Sequence, residues 1–109
     1  MSTKDAISHY AEALRLNPDC ITAHHDLAIA LGKLGRFDES ATHVADVVRL
    51  QPGSAEARIG LAVALAREGQ FQDAASQAAE ALRREPNNQT ARRLLNELAI
   101  SSAARPGRR

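Results

Sequence analysis

The stretch from Leu27 to Pro52, LAIALGKLGRFDESATHVADVVRLQP, returns from Leu61 to Pro86 as LAVALAREGQFQDAASQAAEALRREP. The offset is 34 residues, and ten of the 26 paired positions are identical without a gap. The identical pairs are Leu27/Leu61, Ala28/Ala62, Ala30/Ala64, Leu31/Leu65, Gly35/Gly69, Phe37/Phe71, Ala41/Ala75, Ala45/Ala79, Arg49/Arg83 and Pro52/Pro86. Pro18 stands another 34 residues back. A fixed period of this size marks stacked supersecondary units, each too small to bury its apolar face alone. The period defines the kind of object before it says anything about what the object holds.

Within the period the apolar residues recur at helical spacing. Residues 4–16 place Ala6, Tyr10, Ala13 and Leu14 on one face. Proline disfavours helix for the residue before it, so Asn17-Pro18 ends this segment. Asp19 is then expected to cap the next helix. A helix over 21–34 follows, with Ala23, Leu27, Ala30, Leu31 and Leu34 as its buried stripe. Gly35 occupies the position where a left-handed backbone closes a helix. Arg36 alone links to a helix over 37–50, with Phe37, Ala41, Val44, Val47 and Val48 inward. So short a link makes the two helices antiparallel neighbours.

The pattern then repeats, with Gly53 or Ser54 as cap, a helix over 55–68, Gly69-Gln70, and a helix over 71–85. Asn88 is placed to cap a last helix over 89–103, which turns Ala91, Leu94, Leu95, Leu98 and Ala99 inward. The expected fold is all-α, with six helices in antiparallel pairs forming one repeat domain over residues 1–104. Residues 105–109, RPGRR, read as a disordered basic tail. In this phase the chain opens on the second helix of a unit and closes on the first helix of another. The expectation is a piece of a longer array, or an edge that meets a partner. Arg92, Arg93, Asn96 and Glu97 suit the final helix to a capping role.

Composition narrows the rest. Aromatic residues are 3% and Trp is absent, so the core is built from Ala, Leu, Val and Ile, which requires close helix approach. Net charge is +1, but residues 1–80 carry seven basic and eleven acidic side chains, against seven arginines and two glutamates over 81–109. Cys20 is the only cysteine, which excludes an intramolecular disulfide and fits a reducing compartment. No run approaches the roughly 20 apolar residues of a membrane helix. The first ten residues, MSTKDAISHY, lack the apolar run of a signal peptide. A cytoplasmic location without a membrane partner is expected.

These spacings resemble the tetratricopeptide repeat (TPR) family, whose unit is a 34-residue antiparallel helix pair. Leu27-Ala28 and Leu61-Ala62 match the family's Leu-Gly pair with Ala for Gly. Gly35, Phe37, Leu50 and Pro52 match fully, as do Gly69, Phe71, Ala74, Ala81 and Pro86. His24 and Arg58 stand where an aromatic is common, Ser40 and Val47 replace alanines, and Val44 and Ala78 replace an aromatic. The resemblance implies a right-handed α-solenoid of about three repeats, with a concave groove lined by the first helix of each pair. It also implies a non-catalytic scaffold for peptides or protein segments.

Carried onto this chain, the family geometry makes the groove residues Thr22, His25, Ile29 and Lys33, then Glu56, Ile59, Val63 and Arg67, then Thr90, Arg93 and Glu97. Ile29, Ile59 and Val63 are apolar yet lie off the main buried stripe. They read either as anchors for a ligand side chain or as positions partly covered by the second helices. One family subset clamps the carboxylate terminus of chaperones with Lys, Asn and Arg. Here His25, Ile29 and Gly60 occupy three of those positions and only Arg93 is suitable, so no such clamp is expected. The asparagine ladder of glycosyltransferase arrays is replaced by Asp26, Gly60 and Leu94.

Other chemistry is not expected. Cys20 and His24 are four apart at a helix start, where the dipole lowers a thiol pKa, but no third member or oxyanion hole accompanies them. His24 and His25 point about 100° apart on a helix, and His9 and His43 fall on other helices. Neither catalytic residue, metal site nor cofactor is therefore assigned. The Arg-rich end raises phosphate or nucleic-acid contact as a minor alternative. It comes without an aromatic platform, so nucleic acid is not the expected partner. The expected function is protein–protein interaction through the groove. Self-association through the N-terminal helix, or service as a non-catalytic portion of a larger enzyme such as a glycosyltransferase, are the alternatives.

Overall fold

A computed structural model describes residues 2–104, with side chains through residue 100. The described residues form six α-helices: α1 (Thr3–Leu16), α2 (Ile21–Lys33), α3 (Phe37–Leu50), α4 (Ala55–Arg67), α5 (Phe71–Arg84) and α6 (Gln89–Ala104). They fall into two compact units that divide between Pro52 and Gly53. In the first unit α2 packs against α1 and α3, and in the second α5 packs against α4 and α6. The basic tail read at 105–109 lies outside the described residues.

Glycine closes the first helix of each pair. Gly35 has φ +76° and Gly69 φ +83°, the left-handed region that a side chain disfavours. The Gly35 N–H donates to the Gly32 carbonyl and the Arg36 N–H to Leu31; Gly69 and Gln70 donate to Ala66 and Leu65 in the same way. These paired bonds satisfy carbonyls that the helix end would leave open, and they reverse the chain.

Capping differs between helices. Ser2 and Asp5 form a capping box at α1. Ser54 Oγ accepts from the Ala57 N–H at α4, and Asn88 Oδ1 accepts from the Ala91 N–H at α6. Asp19 does not cap α2. The N-cap is Cys20, which makes no side-chain bond to the helix, and the Asp19 N–H instead donates to Asn17 Oδ1 within the turn.

In the first unit Ala23, Leu27, Ala28, Ala30, Leu31, Ala41 and Val47 are buried. Leu34, expected in this stripe, is 39% exposed. The helix ends at Lys33, so position 34 is a cap with its own backbone direction. In the second unit Ala62, Ala74, Ala78 and Leu98 form one cluster, and Ala55, Ala81 and Ala91 another. Ala99, expected inward on α6, is exposed, while its neighbour Leu98 is buried.

Candidate functional site

On α2 the residues Thr22, His25, Ile29 and Lys33 follow i, i+3, i+7, i+11 spacing and share one exposed side. Ile29 is 48% exposed, high for a large aliphatic side chain. It borders a hollow of about 210 Å³ lined by Ser2, Thr3, Ala6 and Tyr10 of the α1 end and by Asp26, Ile29, Ala30 and Lys33 of α2. Asp26 also lies 3.5 Å from the His25 ring. The lining thus combines the apolar Ala6, Ile29 and Ala30 with the Asp26 carboxylate and the Lys33 ammonium. Ser2 and Thr3 are not among the residues that the family geometry selects, and Asp26 enters there only at the position of the asparagine ladder. Asp26, Ile29, Ala30 and Lys33 recur at i, i+3, i+4, i+7, a helical spacing that could have singled out Asp26.

In the second unit Glu56 and Arg67 are exposed on α4, and Thr90, Arg93 and Glu97 on α6. Val63 is half-buried, and Ile59 is half-buried against the Ala55, Ala81 and Ala91 cluster. Ile29 is therefore the open apolar side chain of the set, and Ile59 contributes to packing.

The antiparallel packing of α2 and α3 also joins two histidines that their placement on different helices had seemed to separate. His24 Nδ1 stands 3.1 Å from His43 Nδ1 and 3.7 Å from Asp46 Oδ2. His24 Nε2 stands 2.7 Å from the Pro18 carbonyl oxygen. That oxygen only accepts, so Nε2 carries the proton and the Nδ1 of a neutral ring presents a lone pair. Burial pulls the His43 imidazole below its ordinary pKa, with His24 adding to the effect and Asp46 and Glu39 opposing it.

An all-α chain of antiparallel pairs, each closed by a left-handed glycine and broken by proline at a 34-residue period, defines a helical-repeat protein. The tetratricopeptide repeat family model matches residues 25–89, and the chain belongs to that family. Solved structures agree on the fold. The first TPR of Spaghetti (RPAP3), bound to the HSP90 peptide SRMEEVD, is 20% identical, with a TM-score of 0.84 over 94% of this chain and 81% of that one. The Arabidopsis OM64 TPR domain is 23% identical, with a TM-score of 0.79 over 91% and 82%. YrrB, described as a TPR protein with an unusual peptide-binding site, is 24% identical, with a TM-score of 0.75 over 84% of this chain and 47% of that one. No curated protein matches the chain. The fold class is thus the α-solenoid of antiparallel helix pairs. Among the described residues no helix is long and apolar enough to cross a membrane.

Proposed function

We propose that the repeat domain over residues 1–104 is a non-catalytic scaffold whose first-helix faces bind a peptide or helical segment of a partner protein. The observation that carries this reading is Ile29, a large aliphatic side chain almost half open to solvent beside a hollow whose lining includes Asp26 and Lys33. Thr22, His25 and Lys33 extend that face. Glu56, Ile59, Val63, Arg67, Thr90, Arg93 and Glu97 are the corresponding positions of the second unit. Membership in the family supports the reading, as does the peptide bound by the Spaghetti domain. His25 and Ile29 fit an apolar side chain better than the terminal carboxylate of a chaperone peptide. The lone cysteine suits a cytoplasmic setting.

Selection of peptides from a random display library by the full chain tests this. Ile29→Asp is expected to weaken selected peptides by roughly 10-fold or more, the loss of a central apolar anchor. Selected peptides that bind Ile29→Asp as tightly as the parent would contradict it.

Self-association through α1 is the second reading. No residue of α1 is fully buried, and Leu16 at its end is 70% exposed. Light scattering over a range of concentrations checks it, and a monomer throughout ends it.

A further inference from the structure

The first unit holds a constellation that is independent of the partner-binding face. We propose that His24, His43 and Asp46 form a three-ligand site for a divalent transition-metal ion of the zinc class. The donors are the two Nδ1 atoms and an Asp46 carboxylate oxygen.

The three donor atoms lie within 4.8 Å of one another. Two ligands of a tetrahedral zinc ion at its usual bond lengths stand roughly 3.3 Å apart. The His24–His43 and His24–Asp46 separations of 3.1 and 3.7 Å bracket that value. His43 and Asp46 are three apart on α3, so both reach from one face toward His24 on α2. Imidazole with carboxylate is a donor set that suits zinc and its neighbours.

The surroundings orient the donors as ligands. The Pro18 carbonyl holds the Nε2–H of His24, the kind of outer bond that fixes a metal-binding tautomer. Asp46 turns Oδ1 toward Arg49 Nε at 3.5 Å, which leaves Oδ2 facing His24. Arg49 is itself 3.6 Å from Asp19, on the turn that also carries Pro18. His24 is 6% exposed, so its lone pair is shielded from bulk water.

The repeat supplies an internal control. Thirty-four residues on, His24, His43 and Asp46 become Arg58, Gln77 and Glu80. There Arg58 donates to Gln77 Oε1 at 3.2 Å, and Glu80 accepts from Arg83 and Arg84. The same frame is thus filled without ligating nitrogens, and the fold does not require histidine at either position. A three-donor set leaves a fourth coordination position for water. The ion would tie α2 to α3 and hold the turn at Pro18.

The test is zinc titration of the chelator-stripped full chain by calorimetry, with cobalt(II) absorption as a geometric probe. One ion per chain, a tetrahedral cobalt spectrum and an unfolding midpoint that rises with zinc are expected. His43→Gln, which copies the second unit and so is compatible with the fold, should lower zinc affinity by at least about 10-fold, as should Asp46→Asn. His9→Gln should leave it unchanged. Absence of saturable zinc uptake by the parent chain at millimolar cation overturns the proposal. So does wild-type affinity in His43→Gln.

Discussion

The α2–α3 pair and the α4–α5 pair run in one 34-residue register and end their first helices with the same glycine turn, yet they are filled differently. The second unit is built on small side chains: Ala62, Ala74, Ala78, Ala81 and Ala91 are all fully buried. Its helices meet at alanine surfaces, with Leu98 from α6 set into them. The first unit buries Val47 where the second has Ala81, and Ser40 where the second has Ala74. Ser40 Oγ donates to the Ala28 carbonyl at 2.7 Å, a cross-helix bond that satisfies a buried hydroxyl. His24 and His43 replace Arg58 and Gln77. The frame therefore depends on the glycine turn and on the apolar positions shared by both units. The remaining positions take either small apolar contacts or polar cross-bridges.

Substitutions can break that contrast, beginning with those that should cost most. Leu31→Ala in the first unit and Leu98→Ala in the second should each cost about 2–5 kcal/mol in urea unfolding. Leu98 should lie toward the upper end, because its alanine neighbours cannot reach in to fill the gap. Ala78→Val, which copies Val44 of the first unit, should cost about 1–3 kcal/mol, since Ala78 is 0% exposed and sits in the cluster with Ala62, Ala74 and Leu98, where added methyl groups must displace neighbours. Equal stability to the parent would mean that the helices meet less tightly there than the burial of Ala78 implies. Gly69→Ala should cost about 1–2 kcal/mol from backbone strain alone. A Cβ there meets nothing within 4 Å, so a larger loss would point to a clash that the structure does not contain. Ser40→Ala imports the second unit's residue and should cost about 1 kcal/mol or less, measured by the same unfolding curves.

Much of the architecture was legible because it is written in local chemistry. Gly35 and Gly69 mark positive φ, and the short links that follow them leave antiparallel packing as the outcome. Ser54 and Asn88 cap where a polar side chain precedes an apolar-periodic run. The misses have physical causes. Leu34 and Ala99 obey the helical period, but Leu34 is the cap beyond the end of α2 and Ala99 stands about 100° around α6 from the buried Leu98. Asp19 is a strong capping residue by type, yet the turn at Pro18 directs its backbone to Asn17. The histidine cluster was invisible to a one-helix reading, because it depends on how α2 and α3 meet across 19 residues of sequence. The 34-residue register could have exposed it, since His24 and His43 correspond to Arg58 and Gln77. The hollow beside Ile29 needed the position of α1, which no spacing within α2 supplies.

The most direct test of the partner-binding account is backbone amide shift mapping of the full chain with a peptide selected against it. The account predicts perturbations centred on Thr22, His25, Ile29 and Lys33, with further shifts at Glu56, Arg67 and Arg93. Shifts confined to exposed positions of α3 and α5, such as Thr42, Gln72 and Ser76, would contradict it.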